Sequence, residues 1–299
     1  MSYLRNFEYF EPESLEEAVK LKLKYDPEEA KVLAGGVDLV PRMRRRQILP
    51  KCVISLHRIS GLDYIESNGK SGLRIGALTS IRSIELSSAI QRDYKVLYEA
   101  VHQIASIQVK TMSTAVGNLC VASPASDVAL SLFVLGAKLR LIGRTSERVI
   151  PIEDFYVGLN QTSLRPDEIA AEIILPSSTA QLSCAFLRLT RTATDCPKVN
   201  VAVTMKVVDN RCKNVNIALG CVAPTPIRAQ KAEEKLRGQI PGEKLIEAAA
   251  DAAAEATKSI TDIRSTAEYR KEMICVLTRR AIEKSLNMKG ESYRRGDMQ

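Results

Sequence analysis

Apolar positions along the chain repeat at two periods, and the places where the period changes outline the elements. A short strand is predicted at Phe7 to Phe10. A helix capped near Ser14 follows, with Leu15, Ala18, Val19, Leu21 and Leu23 along one side at helical spacing. In "AKVLAGGVDLVPRMRRR", Val32 and Leu33 read as a buried strand, Gly35 and Gly36 as a tight turn, and Asp38 as the start of a short helix or turn with Pro41 early. A second strand at Cys52 to Leu56, alternating "LDYIES" and a strand at Leu73 to Ile75 come next, with Thr79 or Ser80 capping the helix that follows. A helix from Tyr94 to Ile107 leads to "STAVGNLCVASPASD", the strand "AKLRLIG", the polar turn "RTSER" and the strand "EIAAEIILP".

The proline-led polar segment "PSSTAQ" sets a boundary at Pro176, beyond which the texture changes. Strands are expected in "CAFLRLTR", "VNVAVTMKVV" and "NVNIALGCV", with "DN" turning between the last two. Helices follow near Arg228 to Leu236, Lys244 to Ser259 and Thr266 to Leu286, and "GESYRRGDMQ" reads as a frayed tail. Strands followed by helices predict an α+β domain for this second part. No internal repeat or low-complexity region interrupts this order.

Composition narrows the class. At 299 residues, with 45% hydrophobic and 26% charged residues, the chain has ample material for two or three packing units. A formal charge of +8 favours an acidic partner or a polyanionic cofactor, but it is too diffuse to predict nucleic-acid binding. The seven cysteines form no Cys-x-x-Cys pair, which predicts reduced thiols, a cytoplasmic location and no metal or iron–sulfur site of the chain's own. The N-terminus lacks the basic start and apolar stretch of a signal peptide, and no apolar run is long enough for a membrane span.

The two glycine turns carry the most chemistry. Backbone amides that meet a phosphate need glycine, because a side chain blocks close approach or forbids the backbone angles. "LAGG" and "VGN" each follow a buried element, and successive amides there can form an anion nest; each alone is also ordinary turn punctuation. Thr114 and Asn118 can add side-chain hydrogen bonds, and Asp127 can accept them from a sugar hydroxyl. Arg42, Arg44, Arg45 and Arg46 read first as a solvated face, with cofactor phosphates or an acidic subunit as the alternatives. His57 and His102 read as structural, Cys120 as a small packing residue, and Ala248 to Ala254 as a close-packing helix surface.

Taken together, "LAGGVDLVP", "RIGALTSI", "TAVGNLCVASPASDVA", "FLRLTRTATDCPKVNVAV", "IALGCVAPTPIRA" and "AEYRKEMICVLTRRAIE" occur in register with a known family. The chain resembles the FAD-binding medium subunit of the molybdenum hydroxylases over residues 4 to 286. The resemblance implies an α/β FAD-binding domain over 1–176, in two lobes of about 1–57 and 58–176, and a C-terminal α+β domain over 177–299 with an antiparallel sheet and helices. It implies that the pyrophosphate lies on Ala34, Gly35, Gly36, Val37, Asp38 and Leu39, and on Thr114, Ala115, Val116, Gly117 and Asn118, with Leu33 also against the cofactor. Asp127 ends the family's Ser-Pro segment, Ala170 would lie beside the flavin, and Arg188 takes approximately the place of a lysine near the ring.

With two glycine loops and no histidine or cysteine in an obvious flavin-attachment context, the FAD is expected to be noncovalent, and an electron-transferring flavin needs no catalytic acid, base or nucleophile from this chain. By the same resemblance, the partner subunits carry the other cofactors. Molybdopterin would sit on a large partner subunit and iron–sulfur clusters on a small one, with electrons leaving through FAD to an external acceptor. Two departures stand out: Val116 occupies the first glycine position of the family's second loop, and Val37 replaces a common threonine. Either position 116 needs no glycine angles, or its phosphate contact is weakened. A self-sufficient flavin oxidoreductase and an assembly subunit that has lost FAD are the rival readings.

Overall fold

The helix after Ser14 forms as its periodicity predicts. Ser14 Oγ accepts the Glu17 amide at 3.1 Å, and Ala18, Val19 and Leu21 turn inward along Leu15–Lys22. The computed structural model describes residues 4–67, 72–177 and 182–287, and the "GESYRRGDMQ" tail lies outside them. The described residues belong to two compact units whose segments interleave along the chain. One takes Met1–Ser87, Ser106–Ala122 and Ala137–Ser177; the other takes Ser88–Ala105, Ser123–Gly136 and Ser178–Gln299.

The first unit contains a three-stranded parallel sheet of Glu8–Phe10, Cys52–Ser55 and Ala30–Leu33, with Cys52–Ser55 in the middle. Parallel neighbours require crossovers, and the helices Leu15–Lys22 and Leu39–Arg44 lie in those connections. Ala18, Val19, Ala30, Cys52, Ile54 and Leu56 close the core there. The register sets Leu33 opposite Ser55, so the first glycine turn leaves the C-terminal edge of this sheet, where ligands of parallel α/β sheets commonly bind. A five-stranded antiparallel sheet completes the unit, in the order Ile65–Ser67, Leu73–Gly76, Ile169–Leu175, Lys138–Ile142 and Glu147–Pro151. Its central strand slips register between Ala170 and Glu172, leaving a bulge at Ala171.

The second unit is a four-stranded antiparallel sheet of Ser183–Leu189, Val199–Val208, Arg211–Gly220 and Ile227–Arg228, packed with helices. Asp209 and Asn210 turn the central hairpin at φ 50° and 58°, the left-handed pair that a two-residue hairpin favours. Val201, Val203, Ile217 and Leu219 share one core with Ala249, Ala253, Ile274 and Ile282 from the helices Glu243–Glu255 and Ala267–Asn287. Every residue of Asp127–Leu135 is buried, and that helix packs on Val199–Val208 and Arg211–Gly220. Thr204 Oγ1 and Asn216 Nδ2 each donate to the Val134 carbonyl at 2.9 Å.

The expected helix from Tyr94 to Ile107 divides. Lys95–His102 ends before Ala105, which sits at φ 39°, and Ser106 caps a new helix, Ile107–Met112. Ile104 continues the apolar spacing across the break, which concealed the stop. The expected helix over Lys244 to Ser259 ends at Glu255. Of the two candidate caps at 79 and 80, Ser80 is the cap, accepting the Ser83 amide at 2.9 Å.

Candidate functional site

The first glycine loop presents backbone. Gly36 lies at φ 69°, in the left-handed region that glycine adopts without strain. Among the described residues no hydrogen bond takes up the amides of Gly35, Gly36, Val37, Asp38 or Leu39, so a run of donors stays open beside the start of Leu39–Arg44. Asp38 does not cap that helix with its side chain and pairs instead with Arg42 at 3.3 Å. Val37 is exposed, so the side chain in the threonine's usual place has no core to fill.

The second loop is not the turn that its glycine suggests. Ala115–Cys120 is a short helix, Thr114 is its N-cap, and neither Val116 nor Gly117 has a positive φ. Position 116 therefore needs no glycine angles, and the Val116 side chain, 3% exposed, packs inside. Three amides are already used: Ala115 donates to the Thr79 carbonyl at 3.3 Å, Gly117 to Thr114 Oγ1 at 3.1 Å, and Asn118 to the Thr114 carbonyl at 3.0 Å. The Val116 amide and the Thr114 hydroxyl proton remain as donors. Gly117 is glycine for space, since a Cβ there would stand 2.7 Å from Thr114 Oγ1.

The fold brings the two loops together although some eighty positions separate them. A Cβ on Gly35 would stand 1.8 Å from the Met112 carbonyl oxygen and 2.9 Å from Ser113 Cα, so only glycine lets the two backbones touch. A Cβ on Gly117 would lie 4.0 Å from that of Ala34. Two segments of open donors in contact, one with its glycine in the left-handed region, fit the oxygens of a pyrophosphate. The strand Ile169–Leu175, carrying buried Ala170, packs against Ala115–Cys120 in the same unit.

Asp127 and Arg188 lie in the second unit and bind each other. Arg188 Nη1 is 2.7 Å from Asp127 Oδ2, and Asn200 Nδ2 donates to Asp127 Oδ1 at 2.6 Å. Both carboxylate oxygens are thus engaged within the protein, in place of the free acceptor expected from sequence. Arg188 also donates to the carbonyls of Gln103 and Asp195, while its buried Nε has no partner among the described residues. Burial pushes the Asp127 carboxyl up to about 6, with Arg188 and then Asn200 pulling it down. Gly220 makes room for Asn200, whose Oδ1 would be 2.2 Å from a Cβ there. Asn200 carried no signal in the sequence; only the register opposite Gly220 exposes its part.

Comparison with known proteins decides the family. Residues 5–178 match the FAD binding domain in molybdopterin dehydrogenase, and residues 184–285 match the CO dehydrogenase flavoprotein C-terminal domain. The chain belongs to the FAD-binding medium subunits of the molybdenum hydroxylases. It is 32% identical to the carbon monoxide dehydrogenase medium chain of Hydrogenophaga pseudoflava, over 92% of this chain and 96% of that one. It is 30% identical to the corresponding medium chain of Afipia carboxidovorans, over 94% and 96%. The solved carbon monoxide dehydrogenase from Hydrogenophaga pseudoflava that lacks the Mo-pyranopterin moiety superposes with a TM-score of 0.92, covering 95% of this chain and 98% of that chain.

Two of the other candidates in this medium subunit are His57 and Cys120. His57 Nδ1 lies 3.0 Å from buried Ser55 Oγ. Cys120 is exposed, where a small packing residue was expected; the protein atoms around its sulfur push the thiol up to about 12, with Lys22 opposing. No group of three or more metal-binding side chains converges among the described residues. No described helix is long and apolar enough to cross a membrane.

Proposed function

We propose that this chain holds FAD noncovalently and passes electrons from the iron–sulfur clusters of a small partner subunit to an external acceptor. A large molybdopterin subunit, oxidising the substrate, would supply the electrons. The observation that carries the reading is the contact of two glycine segments, Gly35 against Met112–Ser113, beside open amides at Gly35–Leu39. Amides there, with the Val116 amide and the Thr114 hydroxyl, bind the pyrophosphate; Leu33 and Ala34 lead into the first segment, and Ala115 and Asn118 shape the second. FAD accepts electrons singly or in pairs, which suits a junction between one-electron clusters and a two-electron acceptor.

The protein's own part is placement. Ala170 sits beside the bulge at Ala171 and would present a small side chain to the ring. Arg188, with one buried donor unspent, supplies fixed positive charge, and Asp127 holds that guanidinium in position. Residues up to 176 form the FAD-binding part and the rest the C-terminal flavoprotein part, a division supported by family matches that end at 178 and resume at 184. The assembled complex is cytoplasmic in this account.

Substrate added to the isolated chain, and then to the chain mixed with both partner subunits, tests the assignment. Flavin bleaching only in the mixture is the expected result. Bleaching in a verified single-chain preparation would instead make the protein a self-sufficient oxidoreductase.

A further inference from the structure

We propose that the buried ions Glu85 and Lys110, with Arg82, set the spacing of the two glycine segments, which makes Glu85 and Lys110 positioning residues for the pyrophosphate. The proposal rests on the FAD reading above. Lys110 Nζ lies 2.6 Å from Glu85 Oε1, and Arg82 Nη1 lies 2.6 Å from Glu85 Oε2. Glu85 is 4% exposed and Lys110 5%. The pair joins the helix Ile81–Leu86 to the helix Ile107–Met112.

The second of these helices has little else to hold it. Six residues are too few for a helix to persist alone. Its apolar ends face solvent, Ile107 at 60% and Met112 at 59%, and Lys110 is its single buried residue. Yet its last carbonyl, at Met112, is the group against which Gly35 is seated. The following carbonyl, at Ser113, accepts the Ile81 amide at 2.9 Å, and the Ala115 amide reaches Thr79 at 3.3 Å. One helix therefore anchors the second glycine segment by backbone bonds at its N-terminal end and by Glu85 near its C-terminal end.

A buried ion pair is a weak source of stability, since apolar residues of like volume often do as well. Its distinctive property is direction. Charged groups in a buried site tolerate little displacement, so the pair fixes where Met112 stands and hence the gap between the two donor segments.

The test compares FAD, ADP and riboflavin titrated into the apo-protein, with circular dichroism and urea unfolding as controls. ADP carries the pyrophosphate without the flavin, and riboflavin the flavin without the pyrophosphate. Lys110→Met should weaken FAD and ADP by a common factor of about tenfold or more, the worth of one charge-assisted phosphate bond, and leave riboflavin unchanged. Lys110→Arg should restore both. Should Lys110→Met fail to fold, the uncharged double variant Glu85→Gln with Lys110→Met is read against the same expectations. Folded variants that bind FAD and ADP like the parent, or that lose riboflavin equally, overturn the positioning role while leaving the FAD reading intact. A parent protein that binds neither FAD nor ADP overturns the FAD reading and this proposal with it.

Discussion

Replacing Gly35 by alanine forces a choice between the two glycine segments. The new Cβ stands 1.8 Å from the Met112 carbonyl oxygen, where ordinary contact begins at 3.4 Å, so the backbones must part by about 1.6 Å. The obstacle is main chain and cannot rotate away. Overpacking of this kind costs about 1–3 kcal/mol of stability. If the parting removes one or two amide contacts to phosphate, FAD affinity falls by roughly tenfold to a hundredfold.

Gly117→Ala makes the informative partner. The one close approach of its Cβ among the described residues is to the Thr114 hydroxyl, at 2.7 Å, which can turn aside. Loss of the cap, about 1 kcal/mol, is offset by about 1 kcal/mol of better helix propensity. Stability should hold while FAD weakens by about tenfold, because the displaced hydroxyl is one of the proposed donors. Urea unfolding and FAD titration of both variants separate the effects. Gly35→Ala with parental stability and parental FAD affinity would refute the contact between the segments.

Val116→Gly removes a buried side chain, at about 1.5–2 kcal/mol, and places glycine in a helix, at about 1 kcal/mol more, so urea unfolding should register a loss near their total. Unchanged stability would mean that Val116 does not pack. Asp127 titrates near 6 when folded against 3.8 as its ordinary value, so the native state holds the proton more tightly. Its contribution is complete below about pH 4 and is lost as pH rises through 6, about 3 kcal/mol in all; Asp127→Asn, which stays neutral, should abolish that slope in stability measured against pH, and an unchanged slope would contradict it. Acid or heat denaturation of the flavin-loaded protein should release all the yellow chromophore, and flavin left on the denatured chain would contradict noncovalent binding.

The elements with strong periodicity were legible, among them the strand Cys52–Ser55, the helix after Ser14 and the hairpin at Asp209 and Asn210. Each is written by near neighbours: a cap three residues away, alternation, or a left-handed turn pair. The glycine segments were legible as a pair and misleading in detail. Gly117 looks like a turn residue because glycine's two uses, backbone freedom and missing bulk, leave the same letter in the sequence, and only the Thr114 contact decides between them. Asp127 looked like a free acceptor because its partners, Arg188 and Asn200, are 61 and 73 positions away. The interleaving of the units was also hidden. A helix buried on every side, as Asp127–Leu135 is, announces that it belongs in a core without saying whose.

In the proposed site, two segments distant in sequence close on one pyrophosphate. Titration of FAD into the isolated, flavin-free chain, followed by calorimetry and by the flavin absorption spectrum, examines that closure. One FAD per chain, displaced competitively by ADP, is the predicted result; a folded chain that takes up no FAD, or FAD that ADP cannot displace, would contradict it.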